Sequence, residues 1–318
     1  MGFWIVFIPS SLLVILLVKL YIKLTSARCE SNVCLSGKTV IVTGANTGIG
    51  YETALDLAKR GAKVILACRN EEKAKAAVRN IIEETYNNNV SYRILDLGSL
   101  GSVRRFAEEI NTTEERLDIL INNAGLQMVP EISGLSDDGL HPVMQANYFG
   151  HFLLTHLLTD LLKKSSPSRI VNVSSMAAGH TTFNNLDELN SDASVYSIYS
   201  RSKLCNFLFT LELHERLKNT GITTYSLHPG VIYTEFTRNM PIVIKQVAEF
   251  VVKWFCKDAR EGAQTTIHCA VAKDIEKYSG LYFADCKLAS FPRKADMELA
   301  KSLWRLSEEL VKLDKKYI

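Results

Sequence analysis

The chain alternates between short apolar runs and longer amphipathic stretches. The short runs are rich in valine and isoleucine, which is typical of strands buried on both faces of a sheet. The strands predicted are Thr39–Thr43, Lys63–Ala67, Val90–Leu95, Leu117–Ile121, Arg169–Val173, Ile222–Leu227 and Gly280–Phe283. The helices predicted between them include Gly48–Arg60, Glu71–Thr85, Leu100–Ile110, His151–Lys163 and Tyr196–Lys218. The alternation predicts an α/β fold, with one doubly wound domain around a mostly parallel, seven-stranded sheet.

The first eighteen residues, MGFWIVFIPSSLLVILLV, carry no charged side chain. Together with the next few residues they approach the ~20 that span a bilayer as a helix. Positive charge follows the apolar run, at Lys19, Lys23 and Arg28, whereas a secretory signal peptide carries positive charge before it. An uncleaved membrane anchor is therefore favoured. A cleaved signal and a hairpin or interfacial helix stay open, the latter because Pro9 interrupts the run.

These patterns divide the chain into three parts. We expect an anchor over residues 1–24, a short polar linker over 25–36 and a catalytic domain over 37–318. By the positive-inside rule the domain faces the cytosol. The net charge of only +3 argues against a nucleic-acid partner. The seven cysteines include no CxxC pair, so we expect free thiols and no metal site.

A glycine-rich turn follows the first predicted strand, in TVIVTGANTGIG. Gly44, Gly48 and Gly50 let the backbone approach a ligand closely, and the helix that follows offers its N-terminal N–H groups to a phosphate. The turn therefore predicts dinucleotide binding and a Rossmann-type domain. An ordinary tight turn between strand and helix is the alternative.

The end of the second strand reads ILACRN, with Arg69 where an acidic residue would bind a ribose 2′-hydroxyl. A guanidinium can instead bind a 2′-phosphate through two hydrogen bonds. Arg69 therefore favours NADP(H) over NAD(H) as the cofactor. The alternative is a solvated residue at the start of a helix.

A tyrosine and a lysine lie four residues apart in YSRSK, at Tyr199 and Lys203. On a helix this spacing places both side chains on one face, and an ammonium group near a phenol lowers the pKa of the phenol. Tyr199 is therefore a candidate acid/base, whereas Tyr196 has Ser200 at the same offset. A packed tyrosine beside a surface lysine is the alternative.

Four motifs together resemble the short-chain dehydrogenase/reductase family. They are TGANTGIG, NNAG at 122–125, VNVSS ending at Ser175, and YSRSK. The stretches ACRN, NYFGHFLLT, SKLCNFLFTLEL, HPGV and SGLYFADCK resemble one branch of it, the microsomal retinol dehydrogenases, as does the N-terminal segment. The resemblance extends over residues 36 to about 285.

The resemblance implies a catalytic tetrad. Tyr199 matches the acid/base, and Lys203 matches the residue that lowers its pKa and binds the nicotinamide ribose. Ser175 matches the serine that binds the substrate oxygen, and Asn147 matches the asparagine that holds a proton-relay water. Ser174 is expected to point to the other side of its strand. Strand-end caps at both serines are the alternative.

The resemblance also implies the cofactor contacts. They are Gly44, Asn46, Thr47, Gly48, Ile49, Gly50, Arg69, Asp96, Leu97, Asn123, Ala124, Gly125, Tyr199, Lys203, Pro229, Gly230, Val231 and Thr234. Asp96 matches the acid at the adenine amino group, and Thr234 matches the threonine at the nicotinamide carboxamide. A structural turn at 122–125 and a helix N-cap at Asp96 are the alternatives.

The implied reaction is hydride transfer between NADP(H) and a lipophilic alcohol or aldehyde, with retinol and retinal as the expected pair. Steroid or lipid-derived carbonyls are alternative substrates, and a non-enzymatic NADP(H)-binding scaffold at a membrane is an alternative function. The apolar segment 231–256 matches a mobile lid of the family. The interval between Ser175 and Tyr199 contains FNNLDELNSD, which resembles the same stretch in the branch, but the part just before Tyr199 is slightly shorter, which bears on substrate choice. The expected location is the endoplasmic reticulum membrane, and a homodimer is the assembly considered.

Overall fold

The structure is a computed structural model. It describes residues 26–126, 134–181, 183, 186–190, 194–232, 256–291 and 296–313, together with Tyr21 and Lys23. The predicted anchor therefore lies almost wholly outside the described residues, as do Thr234 and most of the predicted lid. Among the residues that are described, no helix is both long enough and apolar enough to cross a bilayer.

The described strands form one sheet in the order β3-β2-β1-β4-β5-β6-β7-β8. Their bounds are β1 Thr39–Thr43, β2 Lys63–Cys68, β3 Val90–Ile94, β4 Ile119–Asn122, β5 Ser168–Val173, β6 Ile222–His228, β7 Tyr282–Ala284 and β8 Lys287–Ala289. All neighbours pair in parallel except β7 and β8. The prediction of a doubly wound, mostly parallel sheet is confirmed, with strand bounds within two residues of those expected.

The strand count was wrong by one. β8 pairs antiparallel with β7 through a two-residue turn, in which Asp285 and Cys286 have φ values of 49° and 56°. Two consecutive positive φ values are typical of a type I′ hairpin turn. The sequence predicts no hairpin here because neither turn residue is glycine or asparagine, and each strand has only three residues.

Helices cover both faces of the sheet. They are α1 Gly48–Lys59, α2 Glu71–Thr85, α3 Leu100–Thr113, α5 Val195–Arg216, α6 Ala259–Val271 and α7 Met297–Leu310. Between α3 and α5, helix α4 begins as Pro142–Met144, widens into a π-turn over Gln145–Phe149 and continues as Gly150–Lys164. Asn70, Ser99 and Asp258 cap α2, α3 and α6 through side-chain oxygens that accept a backbone N–H.

An aromatic cluster joins the C-terminal helix to the core. The ring of Trp304 in α7 lies 5.2 Å from Phe152 and 4.7 Å from His156, both of which are in α4. The guanidinium of Arg216 stands 4.3 Å above the Trp304 ring. The C-terminal helix is therefore an integral part of the domain.

His156 makes this cluster sensitive to acid. Burial, assisted by the positive charge of Arg216, lowers the pKa of His156 to about 4. In the unfolded chain the imidazole takes up a proton below pH ~6.5. Unfolding therefore becomes easier as the pH falls from 6.5 towards 4, because the unfolded state binds the proton first.

Replacement of His156 by phenylalanine should remove this contribution. We expect wild type to lose about 2 kcal/mol more unfolding free energy than His156→Phe between pH 7 and pH 5. Urea unfolding of both proteins at the two pH values measures the difference. Equal losses of unfolding free energy in wild type and His156→Phe would show that His156 does not stay neutral in the folded protein.

Candidate active site

The site lies where β1 and β4 are neighbours in the sheet. The chain leaves β1 towards β2 on one side, and β5 and β6 continue on the other side of β4. In an open parallel sheet such a reversal of strand order leaves a crevice outside the carboxyl ends of the strands. The glycine-rich turn, the NNAG stretch and Ser175 all follow strands that end at this edge.

The glycine-rich turn is shaped for a close ligand. Gly48 has a φ of +60°, which favours glycine, and a Cβ there would meet nothing within 4 Å. Gly50 faces the opposite way, because a Cβ there would lie 2.5 Å from the carbonyl oxygen of Gly44. The turn is therefore tightly packed on the side that Gly50 faces and open on the side that Gly48 faces, next to the N-terminus of α1. These residues fit a dinucleotide pyrophosphate.

Thr43 organises the neighbouring loop. Its hydroxyl accepts hydrogen bonds from the backbone N–H groups of Asn123 and Ala124, both at 2.9 Å. The same oxygen lies 2.9 Å from Nε2 of His151 in α4. The side chain of Asn122 points elsewhere and donates to Thr155 and Asn172. The NNAG stretch thus holds neighbouring strands together and also lines the crevice.

Arg69 and Asp96 follow β2 and β3 at the same carboxyl edge of the sheet. Arg69 is exposed at the end of β2, and the structure records no ion pair of its guanidinium with any described residue. Asp96 accepts a hydrogen bond from the N–H of Gly98 at 2.9 Å, whereas the N-cap of α3 is Ser99. The alternative of Asp96 as an N-cap is therefore wrong. Leu97 beside it is buried.

The predicted catalytic side chains converge at the carboxyl end of β5. The Ser175 hydroxyl is near enough to the Tyr199 phenol to lower its pKa. Lys203 lies one turn further along α5, with its Nζ 5.7 Å from the centre of the Tyr199 ring. The Nζ donates to the carbonyl oxygen of Val173 at 3.0 Å. As expected, Ser174 points away from Tyr199, and its hydroxyl donates to the backbone oxygen of Lys203 at 2.7 Å.

The expected lowering of the Tyr199 pKa is not seen in this structure. Burial raises the pKa of Tyr199 above its ordinary value, and the nearby Ser175 hydroxyl offsets this only in part. Lys203 is itself buried, with 4 % of its surface exposed, and burial lowers its pKa to about 8. The ammonium group is directed at Val173, and burial is the largest cause of the shift in the Tyr199 pKa.

Asn147 sits in the π-turn of α4. Its side-chain oxygen accepts from the N–H of Leu126 at 2.6 Å, and its side-chain nitrogen donates to the hydroxyl of Ser202 at 3.0 Å. A Cβ added at Gly125 would lie 3.4 Å from both the Asn147 side-chain oxygen and the Lys203 ammonium. Asn147, Gly125 and Lys203 therefore border the same small space. π-turns inside α-helices occur frequently at functional sites.

His151 was not predicted as a site residue. Its Nδ1 lies 3.2 Å from the backbone oxygen of Asn147, and its Nε2 contacts Thr43. Burial lowers the pKa of His151 to about 3, so the ring stays neutral and can bridge the two groups. The i, i+4 spacing of Asn147 and His151 in NYFGHF was the available signal, but the partner Thr43 lies 108 residues away.

The chain after β6 closes the other side of the site. Gly230 has a φ of +98°, and Val231 after it is exposed. The N–H of Lys257 donates to the carbonyl oxygen of Val231 at 2.9 Å, so the two ends of the predicted lid are adjacent. Pro229 precedes this turn and is partly buried. Thr234 lies outside the described residues.

The stretch between Ser175 and Tyr199 is tied to α5. It includes a 3₁₀-helix over Leu186–Asn190, whose Glu188 forms a 2.9 Å ion pair with Arg201. Asn190 accepts a hydrogen bond from the N–H of His141 at 2.6 Å. Within the described part of the chain, no group of three His, Cys, Asp or Glu side chains could hold a metal ion.

Comparison with known proteins shows similarity over most of the chain. A family model described as short chain dehydrogenase matches residues 38–242. Retinol dehydrogenase 11 of Mus musculus is 47 % identical over 296 residues, covering 91 % of this chain and 91 % of that protein. Retinol dehydrogenase 12 of Homo sapiens is 46 % identical over 286 residues, covering 89 % of each.

Solved structures share the fold. An uncharacterized protein from Mycobacterium paratuberculosis aligns with a TM-score of 0.70 at 35 % identity, over 88 % of this chain and 95 % of that chain. A short chain dehydrogenase from Escherichia coli CFT073, complexed with NADPH, aligns with a TM-score of 0.60 at 26 % identity, over 80 % of this chain and 99 % of that chain.

The buried ammonium of Lys203 should cost stability. Its pKa is about 8 in the folded protein and ~10.5 in the unfolded chain. Below pH 8 the folded protein therefore holds a charged ammonium group away from water, which lowers the free energy of unfolding. Stability should therefore rise as the pH increases from 8 to 10.5. Lys203→Met removes the charge, while the carbonyl of Val173 keeps its hydrogen bond from Asn206 at 3.2 Å.

We expect Lys203→Met to be more stable than wild type by about 1–3 kcal/mol at pH 7, and the gain to shrink by pH 10. Urea unfolding at both pH values measures it. The control is Lys73→Met, an exposed lysine of α2 whose replacement should change stability little. A less stable Lys203→Met at pH 7 would show that the ammonium is well compensated.

Proposed function

The chain belongs to the short-chain dehydrogenase family, in its retinol dehydrogenase branch, and on that premise we propose that it interconverts retinol and retinal with NADP(H). More generally it is an oxidoreductase of the alcohol dehydrogenase type that uses a nicotinamide cofactor. The observation that carries the proposal is the convergence of Ser175, Tyr199, Lys203 and Asn147 beside the glycine-rich turn. The catalytic domain is taken as residues 37–318.

The site chemistry fits carbonyl reduction. NADPH, held at the glycine-rich turn, Asn123–Gly125 and the turn after β6, would supply the hydride to the carbonyl carbon. The neighbouring hydroxyls of Ser175 and Tyr199 would both bind the carbonyl oxygen. As negative charge develops on that oxygen, Ser175 stabilises it and Tyr199 donates its proton. The raised pKa of Tyr199 keeps the phenol protonated at neutral pH, as an acid requires.

Lys203 and Asn147 support this proton transfer. At neutral pH Lys203 is mostly protonated, because its pKa is about 8, and its charge stabilises the phenolate left on Tyr199. The hydrogen bonds of Asn147 to Leu126 and Ser202 hold its side chain beside the lysine. His151 positions the backbone of Asn147 and does not touch the reacting atoms.

A lipophilic substrate and a membrane location complete the proposal. The relatives are named for retinol, a lipophilic alcohol. The uncharged segment 1–18 has the composition of a membrane anchor, and Lys23 and Arg28 after it favour a cytosolic catalytic domain. We propose the endoplasmic reticulum as that membrane.

The reaction is tested with detergent-solubilised protein, NADPH and all-trans-retinal, beside a medium-chain aldehyde and a ketosteroid. We expect Tyr199→Phe to lower kcat by about 10²–10⁴-fold, because it removes the general acid. Tyr196→Phe, one turn earlier on the same helix, should leave kcat unchanged. Turnover of only the other carbonyls would reject retinal as substrate. Cofactor binding without any turnover would support a scaffold.

The cofactor preference is tested at Arg69. Its charged hydrogen bonds to a 2′-phosphate should be worth ~1.5–3 kcal/mol, so we expect Arg69→Gln to raise the KM for NADPH about 10–100-fold. The KM for NADH should change little. Arg79→Gln, an exposed arginine further along α2, is the matched control. An equal loss with both cofactors would show that Arg69 does not read the 2′-phosphate.

A further inference from the structure

The segment expected to be a short polar linker is bound to the domain. Residues 26–36, here called the N-terminal strap, run along the outside of α1 and α6. The N–H of Leu35 donates to the carbonyl oxygen of Arg60 at 2.8 Å, and the Leu35 side chain is buried. The guanidinium of Arg60 donates to the carbonyl oxygens of Ser31 and Val33 at 2.5 and 3.3 Å. Arg60 therefore clamps three points of the strap.

Two further hydrogen bonds tie the strap to α6. The Ser31 hydroxyl donates to the carbonyl oxygen of Val271 at 3.1 Å. The backbone N–H of Cys29 donates to Oε1 of Gln264 at 3.1 Å. Cys29 is partly buried against the domain, and burial raises the pKa of its thiol. The strap thus passes from the end of α1 to the middle of α6.

These contacts give the strap a direction. Helix α6 connects β6 to the parallel strand β7, so it starts at the carboxyl edge of the sheet and ends at the opposite edge. Arg60, at the end of α1, also lies at that opposite edge. Gln264 precedes Val271 by seven residues, or about 10 Å of helix. From Leu35 back to Cys29, the strap therefore runs towards the carboxyl edge, where the active site opens.

The remaining length is sufficient to reach that edge. Gln264 is five residues from Ala259, the first residue of α6, which corresponds to about 7.5 Å. Residues 26–28 in extended form span about 10 Å. If they keep the direction of the strap, Ser26 is level with the start of α6, at the edge of the sheet that carries Ser175 and Tyr199.

The same edge exposes large apolar side chains. Met176 follows Ser175 and is 45 % exposed, Tyr196 is one turn before Tyr199 and is 48 % exposed, and Val231 after β6 is 58 % exposed. Each lies beside a residue of the active site. Exposed apolar side chains around a site opening are typical of a surface that meets a membrane or a partner protein.

We propose that the N-terminal strap holds the active-site edge against the bilayer into which residues 1–20 insert. Met176, Tyr196 and Val231 then face the boundary between headgroups and acyl chains, and a lipophilic substrate passes between bilayer and site without crossing water. Lys23 and Arg28 lie at the level of the headgroups. The inference rests on the membrane anchor of the proposed function and adds which face of the domain meets the lipid.

Two exposed tyrosines at opposite edges provide the test. Tyr196 lies at the carboxyl edge, and Tyr86 lies at the far end of α2, at the opposite edge. The full chain is reconstituted in phosphatidylcholine vesicles with a tagged acyl chain, carrying either Tyr196→benzoylphenylalanine or Tyr86→benzoylphenylalanine. On illumination we expect at least a tenfold higher lipid adduct yield at position 196. Equal yields, a higher yield at 86 or no adduct at either position would overturn the orientation.

The role of the strap is tested in the same assay. Arg60→Gln removes the guanidinium that clamps the strap, and it should lower the adduct yield at position 196 several-fold. Asp56→Asn is the matched control, because it removes the ion pair with Arg60 but leaves the contacts between Arg60 and the strap. An unchanged yield in Arg60→Gln would show that the strap does not set the orientation.

Turnover separates this inference from the proposed function. Reduction of a water-soluble aldehyde by the same vesicles reports the chemistry of the site alone and should be equal in Arg60→Gln and wild type. If the wild-type protein does not reduce the water-soluble aldehyde, that result counts against the proposed function. Retained activity with equal adduct yields would count against the orientation only.

Discussion

The hydroxyl of Thr43 is the contact on which the site depends. At the end of the first strand it accepts the N–H groups of Asn123 and Ala124 and contacts the imidazole of His151. One oxygen thereby joins the glycine-rich turn, the loop after β4 and helix α4. His151 extends the connection to the backbone of Asn147. Parts of the chain that are 80 to 108 residues apart are held in register at the crevice.

The chemistry proposed for this site conflicts with stability. Lys203 is an ammonium group with almost no access to water, and its lowered pKa measures the cost of keeping it charged. Tyr199 beside it has a raised pKa, which suits a proton donor more than a base. The fold tolerates both because the carbonyl oxygen of Val173 and the hydroxyl of Ser175 provide polar partners. Enzymes commonly retain such destabilised groups where activity needs them.

The substrate side of the domain is organised by contacts remote from the chemistry. The 3₁₀-helix before Tyr199 is held by the ion pair of Glu188 and Arg201, and the turn after β6 is held by the backbone of Lys257. The N-terminal strap on α1 and α6 belongs to the same set. In the proposed function, contacts of this kind influence which carbonyl compounds reach Ser175 and Tyr199.

Much of the protein follows from the sequence alone. The parallel sheet, the glycine-rich turn, and the placement of Tyr199 and Lys203 on one helix face all depend on local periodicity or short spacing. Other features required the tertiary structure. Strand β8 depends on a turn with positive φ at Asp285 and Cys286. The role of His151 depends on Thr43, a partner 108 residues away. The strap is bound to the domain through Arg60. The pKa of Tyr199 is raised, whereas the sequence predicts that it is lowered. The spacing in the sequence indicates that a charged lysine is near, but only the packed fold determines how much water the phenol loses.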